Sequence, residues 1–136
     1  MSAGDWNAGV IAEFRSNHGK VGGPFKGSPL LLIHHVGAKT GTARVNPVMY
    51  LKDGSRFLVF ASKGGAPHNP GWYYNLKAYP DLEIEVGDGT IKVRAEEVKG
   101  EERDALYARQ ASIYPQFADY QRKTKRVIPV IALTPR

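Results

Sequence analysis

The sequence predicts one domain of mainly β (α+β) class, an antiparallel sheet or barrel of about six strands with flanking helices. Two pairs of strand-like segments are each joined by a turn that contains Asp-Gly or Gly-Asp-Gly, a strong hairpin signal. Helical patterns lie before and after these pairs instead of alternating with every strand, which argues against a parallel doubly wound fold. The 136 residues contain no repeat or linker, so residues 1–136 form a single domain.

The chain begins with a predicted amphipathic helix over residues 5–17. Apolar residues recur there at helical spacing, and Asp5 is placed to cap the helix. They are Trp6, Val10, Ile11 and Phe14. Gly19, Gly22 and Gly23 then predict a loop.

Three strands and a turn follow this loop. The apolar run within residues 29–36 predicts the first strand, and residues 37–41 form a turn. Residues 44–51 and 56–61 predict a hairpin, because Asp53-Gly54 lies between them.

The second half alternates short helices with further strands. The predicted elements are a loop over 62–70, a helix over 72–78, a hairpin over 83–96 turning at 87–89, helices over 101–112 and 115–123, and a strand over 127–133. Pro129 predicts that this last strand lies at an edge or contains a bulge.

Composition and charge narrow the classes of function. Nineteen Lys and Arg residues against 13 Asp and Glu residues give a formal net charge of +6, which favours an anionic partner: nucleic acid, membrane or small molecule. The absence of cysteine excludes disulfides, thiol nucleophiles and thiolate metal sites. The first residues lack a secretory pattern and no apolar run could span a bilayer, so we expect a cytoplasmic protein.

The histidines do not predict a metal site. His34 and His35 are adjacent in a strand and face opposite sides, so they cannot share one metal ion. His18 and His68 lie in loops with no acidic residue at ligand spacing. We therefore expect that none of these residues binds a metal ion.

Two basic glycine loops provide the best candidate binding site. Gly37-Ala-Lys39-Thr40-Gly41, with Arg44 just beyond it, combines glycines, a hydroxyl and cations, and Ser62-Lys63-Gly64-Gly65 repeats this combination. Glycines let backbone N–H groups approach an anion, and the cations add charge-assisted hydrogen bonds. The two loops either converge on one phosphate-type ligand or are ordinary solvated turns.

Aromatic residues form a third feature. Trp72, Tyr73 and Tyr74 open a short helix, whereas Tyr114, Phe117 and Tyr120 recur at steps of three on one helical face. Both core packing and the wall of an aromatic ligand pocket remain open for them. Because no nucleophile is paired with a base, a bound cofactor is expected to bring the reactivity.

Eight segments in order resemble the deazaflavin-dependent nitroreductase family, relatives of the flavin-binding split β-barrels. They are Val10–Asn17, Gly19–Gly23, Pro29–Leu32, Gly37–Gly41, Arg44–Pro47, Ala61–Gly65, Asn69–Trp72 with Asn75-Leu76, and Tyr120 through Ile128-Pro129-Val130. The resemblance covers nearly the whole chain and implies a split β-barrel that binds coenzyme F420.

The resemblance also implies site residues. Lys39 and Arg44 match the positions that hold the coenzyme phosphate in the family. The full set of implied cofactor-binding residues is Lys39, Thr40, Gly41, Arg44, Asn46, Pro47, Ser62, Lys63, Gly64, Asn69, Pro70, Trp72 and Tyr73. The implied substrate-binding residues are Met49, Tyr114, Phe117 and Tyr120.

The implied activity is hydride transfer from the reduced deazaflavin to an organic acceptor such as a quinone or nitroaromatic, with hydrogen bonds from Ser62 or Tyr120 to an acceptor oxygen. Three residues depart from the family. Ala38 replaces a frequent Arg, and Met49 and Phe117 replace tyrosines of nitroimidazole-reducing members, which affects that activity but not coenzyme binding.

Alternative readings stay open at this stage. The barrel could bind flavin mononucleotide, or bind F420 without catalysis. A nucleic-acid module fits less well, because the cations lie beside glycine turns and do not alternate with aromatics along a strand. The expected partner is thus a small molecule and no nucleic acid. Peripheral membrane association and the oligomeric state are left undecided by the sequence.

Overall fold

The computed structural model describes residues 3–22 and 27–136, with side chains from Asn7 onward in the first of these ranges. The strands are β1 Leu30–Val36, β2 Ala43–Asp53, β3 Arg56–Phe60, β4 Asp81–Val86, β5 Gly89–Val98 and β6 Val130–Pro135. The helices are α1 Ala3–Ser16, α2 Gly71–Ala78, α3 Gly100–Ile113 and α4 Gln116–Lys123, and a 3₁₀ turn covers Lys63–Gly65.

The six strands close into a barrel in the order β1-β2-β3-β6-β5-β4, and β4 pairs with β1 to complete it. Every recorded pairing is antiparallel. The predicted class, strand number and antiparallel arrangement are therefore confirmed. Closure leaves no edge strand, so all six strands have two neighbours.

Every second side chain of each strand points into the barrel interior. The side chains between them point outward, and what they contact differs from strand to strand. Phe57 and Val59 of β3 point into the interior cluster, whereas Leu58 and Phe60 pack outward against α3 and α4. Both faces of β3 are thus buried, which explains its uninterrupted apolar sequence.

The β4–β5 hairpin shows the opposite pattern. Leu82 and Ile84 are buried, while Glu83 is exposed between them. One face of this hairpin therefore contacts the interior and the other contacts solvent, as its alternating sequence predicts.

Most predicted elements are confirmed within two residues, and the first helix shows the typical boundary difference. This helix begins at Ala3, so Asp5 lies inside it and not at its cap. The side chains of Asp5 and Trp6, and the whole of Gly23, lie outside the described part of the chain. The predicted β2–β3 hairpin is confirmed, with Asp53 paired to Arg56 across a two-residue turn. Gly54 provides the positive φ of 58° that this turn requires.

The last strand corrects one prediction. Residues 127–129 precede β6, and β6 pairs with β3 on one side and β5 on the other, so it is not an edge strand. Pro129 is tolerated because it lies before the ladder begins; its carbonyl accepts the N–H of Ala61 at 3.0 Å. Within residues 3–22 and 27–136, no helix is long and apolar enough to cross a membrane.

Candidate functional site

A cleft of about 1130 Å³ opens at one side of the barrel. It lies between the ends of β1 and β2, the turn at 37–40, the loop at 62–64, the start of α2 and one face of α4. The two basic glycine loops predicted from the sequence therefore do meet at one cavity. Its volume is large for a drug-sized ligand and suits a bulky cofactor.

The charge of this cleft is entirely positive. Lys39, Arg44 and Lys63 line it and are exposed, and no carboxylate belongs to the described residues that line it. A ligand with several negative charges would therefore meet three cations and no repulsion.

The turn between β1 and β2 is held by its own backbone. The N–H of Gly37 donates to the carbonyl of Thr42 at 2.9 Å, and that of Gly41 donates to the carbonyl of Gly37 at 2.9 Å. A side chain at Gly37 would meet the Thr40 hydroxyl, which would have to move aside. The tight turn carries Lys39 at its tip, and Arg44 follows at the start of β2.

A buried histidine links this turn to the cleft wall. The backbone N–H of Ala38 donates to Asn75 Oδ1 at 2.8 Å, so the Asn75 Nδ2 group is turned to His35 Nδ1, 2.9 Å away. Since Nδ1 must accept that bond, the imidazole proton lies on Nε2, which donates to Asn46 Oδ1 at 2.7 Å. Burial lowers the pKa of His35 and favours this neutral form.

Aromatic side chains form another part of the cleft lining. Trp72 and Tyr74 come from α2, and Phe117 and Tyr120 come from α4. Phe117 and Tyr120 meet edge to face with ring centroids 5.2 Å apart. This wall offers flat apolar surface and the hydroxyls of Tyr74 and Tyr120 to a planar ligand.

Most predicted site residues line the cleft. They are Lys39, Thr40, Arg44, Asn46, Pro47, Met49, Ser62, Lys63, Gly64, Pro70, Trp72, Phe117 and Tyr120. Of the predicted aromatic row Tyr114, Phe117 and Tyr120, the last two line the cleft.

Four predicted site residues do not line the cleft. Gly41 closes the turn with a φ of 70°, and Asn69 is held by Arg126 at 2.7 Å. Tyr73 is buried, and its hydroxyl donates to Glu97 at 2.6 Å. Tyr114 precedes α4 and packs against the apolar side chains between the outer face of the barrel and helices α3 and α4. The three-residue spacing fails for Tyr114 because α4 begins only at Gln116.

Some lining residues were not predicted as site residues from the sequence. The most informative are His35, Asn75 and Tyr74. His35 and Asn75 are 40 residues apart, and their contact depends on how α2 packs on the barrel. Only the Asn75-Leu76 pair within the family resemblance pointed to this position.

No metal centre is formed by the described residues. None of their His, Asp and Glu side chains gather in groups of three or more. His18 does have an acidic partner, which its sequence neighbours did not reveal: Nδ1 lies 2.7 Å from Asp88 Oδ1, at an exposed position. A single carboxylate and a single imidazole do not make a metal site.

The closed antiparallel barrel and its basic, aromatic-walled cleft define a cofactor-binding split barrel. The chain matches the family described as F420H2-dependent quinone reductase over residues 7–135. An F420H2-dependent quinone reductase of Mycobacterium tuberculosis is 43% identical over 131 residues, which cover 92% of this chain and 87% of that protein. A solved F420H2-dependent reductase is 39% identical with a TM-score of 0.70, covering 77% of this chain and 93% of its own.

A second solved structure, described as a domain-swapped dimer, is 35% identical with a TM-score of 0.72 and covers 97% of this chain and 99% of its own. The chain belongs to the F420H2-dependent quinone reductase family. The predicted deazaflavin family, split-barrel fold, oxidoreductase class and coenzyme F420 are confirmed by this membership.

The residues present fit this coenzyme, whose tail is anionic and whose reactive part is a flat ring. The tail would meet Lys39 and Arg44, which are free of carboxylate partners among the described residues. The ring would meet the aromatic wall and the neutral floor around His35.

Proposed function

We propose that this cleft binds coenzyme F420 with its phosphate at Lys39 and Arg44, and that its ring faces Ser62 and Tyr120, where a quinone is reduced. The single observation that supports this most is the set of three cations without a carboxylate in the cleft. Hydroxyls and aromatic surface line the same cleft.

The coenzyme, when bound, supplies a hydride. The chain's own residues hold and shield the reaction. Lys39 and Arg44 fix the anionic part, and Trp72 and Phe117 exclude water from the ring side. The hydroxyls of Ser62 and Tyr120 donate hydrogen bonds to the acceptor oxygen on which negative charge develops. The quinone would gain the hydride that the coenzyme supplies and one proton from solvent water, and would leave as a hydroquinone; a nitroaromatic is the second acceptor class.

The binding half of the proposal is tested by fluorescence titration with coenzyme F420, with flavin mononucleotide as competitor. Arg44→Ala removes a charge-assisted contact and is expected to weaken coenzyme binding about tenfold or more. Lys39→Ala is expected to do the same to a smaller extent, because an ammonium meets phosphate as a point charge. Both losses should shrink at high salt, since the cations are exposed.

Arg94→Ala is the matched control, because Arg94 pairs with Asp81 at 2.8 Å outside the cleft. Its coenzyme affinity should equal that of the unchanged protein. Flavin mononucleotide binding as tight as F420 would contradict the cofactor assignment and support the flavin alternative. Tight F420 binding without anaerobic quinone turnover would support a non-catalytic F420-binding protein.

Peripheral membrane association is part of this proposal, because many quinones reside in bilayers. Val127 is a large apolar side chain that is 68% exposed, and it follows the cations Lys123 and Lys125. Such a pairing of apolar and basic residues favours an anionic lipid surface. Cosedimentation with vesicles of phosphatidylcholine and phosphatidylserine should be lost in Val127→Asp, and no binding by the unchanged protein would refute the association.

A further inference from the structure

Arg126 lies between α4 and β6, and its guanidinium binds one short segment of the chain. Its Nε donates to the carbonyl of Ala66 at 3.0 Å, and its Nη2 donates to the carbonyl of Ser62 at 2.9 Å. Its Nη1 donates to the carbonyl of Ala61 at 3.1 Å and to Asn69 Oδ1 at 2.7 Å. All four acceptors belong to residues 61–69, about sixty positions earlier in the sequence.

These acceptors are all neutral oxygens. Arg126 forms no ion pair with any carboxylate in the described part of the chain. Burial lowers the pKa of Arg126, yet a guanidinium keeps its proton in proteins. The positive charge of Arg126 therefore lies against neutral oxygens of the 61–69 segment, and no carboxylate of the described residues neutralises it there.

The segment that Arg126 holds has an unusual backbone. Ser62 is right-handed helical, whereas Lys63, Gly64 and Gly65 have φ values of 47°, 64° and 84°. A non-glycine residue such as Lys63 adopts a positive φ only when its surroundings impose it. Gly65 is also packed so tightly that an added Cβ would lie 2.8 Å from the carbonyl oxygen of Tyr120.

This backbone arrangement leaves donors available to the cleft. The N–H groups of Ser62, Lys63 and Gly64 donate to no described residue. A right-handed residue followed by a left-handed one turns successive N–H groups towards a common concavity that accepts an anion or a carbonyl oxygen. Arg126 binds three carbonyls of the segment, those of Ala61, Ser62 and Ala66, while the residues that carry the free donors line the cleft where a ligand can meet them.

We propose that Arg126 is a positioning residue that holds the 61–69 segment in the conformation that receives the coenzyme. Arg126 does not line the cleft itself and acts through Ser62, Lys63 and Gly64. The role in coenzyme binding rests on the proposed function, whereas the ordering of the segment does not.

Two variants and one control test this role. Arg126→Ala removes all four bonds, and Arg126→Lys keeps the charge but loses the planar fork that reaches four acceptors. Arg122→Ala is the matched control, because Arg122 lies on α4, its side chain is 70% exposed, and among the described residues it pairs only with the exposed Asp119. The first measurement is amide hydrogen exchange over residues 61–69 in the protein without coenzyme. The second is the Kd for coenzyme F420 by fluorescence titration.

We expect faster exchange at the Gly65 and Ala66 amides in Arg126→Ala, since these N–H groups bond within the segment at 2.9 and 3.1 Å. If the competent conformation falls to a tenth of the molecules, Kd rises about tenfold. The exchange rate and the Kd of Arg126→Lys should lie between those of Arg126→Ala and those of the unchanged protein. Added guanidinium should restore part of the affinity of Arg126→Ala for the coenzyme. Arg122→Ala should match the unchanged protein in both measurements.

The outcomes distinguish a failure of the positioning role of Arg126 from a failure of the proposed function. Unchanged exchange in Arg126→Ala overturns the positioning role, even if Kd rises, because the charge alone would then be responsible. If Arg126→Ala does not fold, the decision passes to Arg126→Lys and to Asn69→Ala, which removes one acceptor. Failure of the unchanged protein to bind coenzyme F420 refutes the proposed function, while the exchange result still decides whether Arg126 orders the segment.

Discussion

Replacement of His35 tests the neutral hydrogen-bonded floor of the cleft. His35→Phe keeps a flat ring of similar size and removes both ring nitrogens. The amide of Asn75 then loses its acceptor in a buried place, and that of Asn46 loses its donor at the half-buried cleft wall. A buried polar group left without a partner costs about 1–3 kcal/mol, and Asn46 can recover a bond from water, so the expected loss is about 2–4 kcal/mol.

The pH dependence of this loss has a defined sign. Burial lowers the pKa of His35 in the folded protein; the hydrogen bond that His35 donates to Asn46 opposes the shift, and the nearby charges of Arg44 and His34 add to it. As pH falls, the unfolded chain therefore binds this proton first. The stability that His35 contributes is fully present above the ordinary histidine pKa of about 6.5 and is lost as pH falls through the folded pKa.

The assay is urea unfolding followed by tryptophan fluorescence, at about pH 7.5 and about pH 5.5 on either side of the ordinary histidine pKa. The gap in free energy of unfolding between the unchanged protein and His35→Phe should be smaller at the acidic pH. His68→Phe is the control, because His68 is exposed in a loop and should change stability little at either pH. A gap that stays constant or grows on acidification would refute the neutral, buried imidazole.

Three further outcomes are expected. Gly65→Ala should lower the free energy of unfolding by about 1–3 kcal/mol, and by more than Gly64→Ala does. Both glycines have a positive φ, but only Gly65 is packed against Tyr120, so equal losses would contradict this. Tyr120→Phe should slow quinone turnover with coenzyme Kd unchanged, and a raised Kd would place its hydroxyl on the coenzyme instead. Chelator treatment should leave quinone reductase activity intact, and activity restored by a divalent ion would show a missed metal.

The hairpins and alternating strands were predictable because their signals are local. The β4–β5 hairpin is specified by alternating side chains and a turn at Gly87-Asp88, and the β2–β3 hairpin by Asp53-Gly54. The position of β6 between β3 and β5 is not local, since those strands are separated from it by many residues. No nearby turn signals that pairing, and Pro129 on its own favours an edge.

The site was predictable where a loop carries its own chemistry. Lys39 and Lys63 lie in glycine turns that are recognisable in any context, and both line the cleft. The neighbours Tyr73 and Tyr74 show the limit: they are consecutive in α2, and only the docking of that helix directs Tyr73 to Glu97 and Tyr74 to the cleft. Arg126 carries no local sequence signal, because three of its four acceptors are backbone carbonyls of residues about sixty positions earlier in the chain.

The two halves of the cleft are built on different physical principles. Lys39 and Arg44 are exposed side chains, so their attraction for an anion is long-range and weakened by salt. The floor around His35 and the segment held by Arg126 are ordered by short hydrogen bonds to neutral groups, which are insensitive to salt and specific in direction. The cations should therefore govern how strongly any anionic cofactor is attracted, whereas the floor and the segment govern which ring fits and in what orientation.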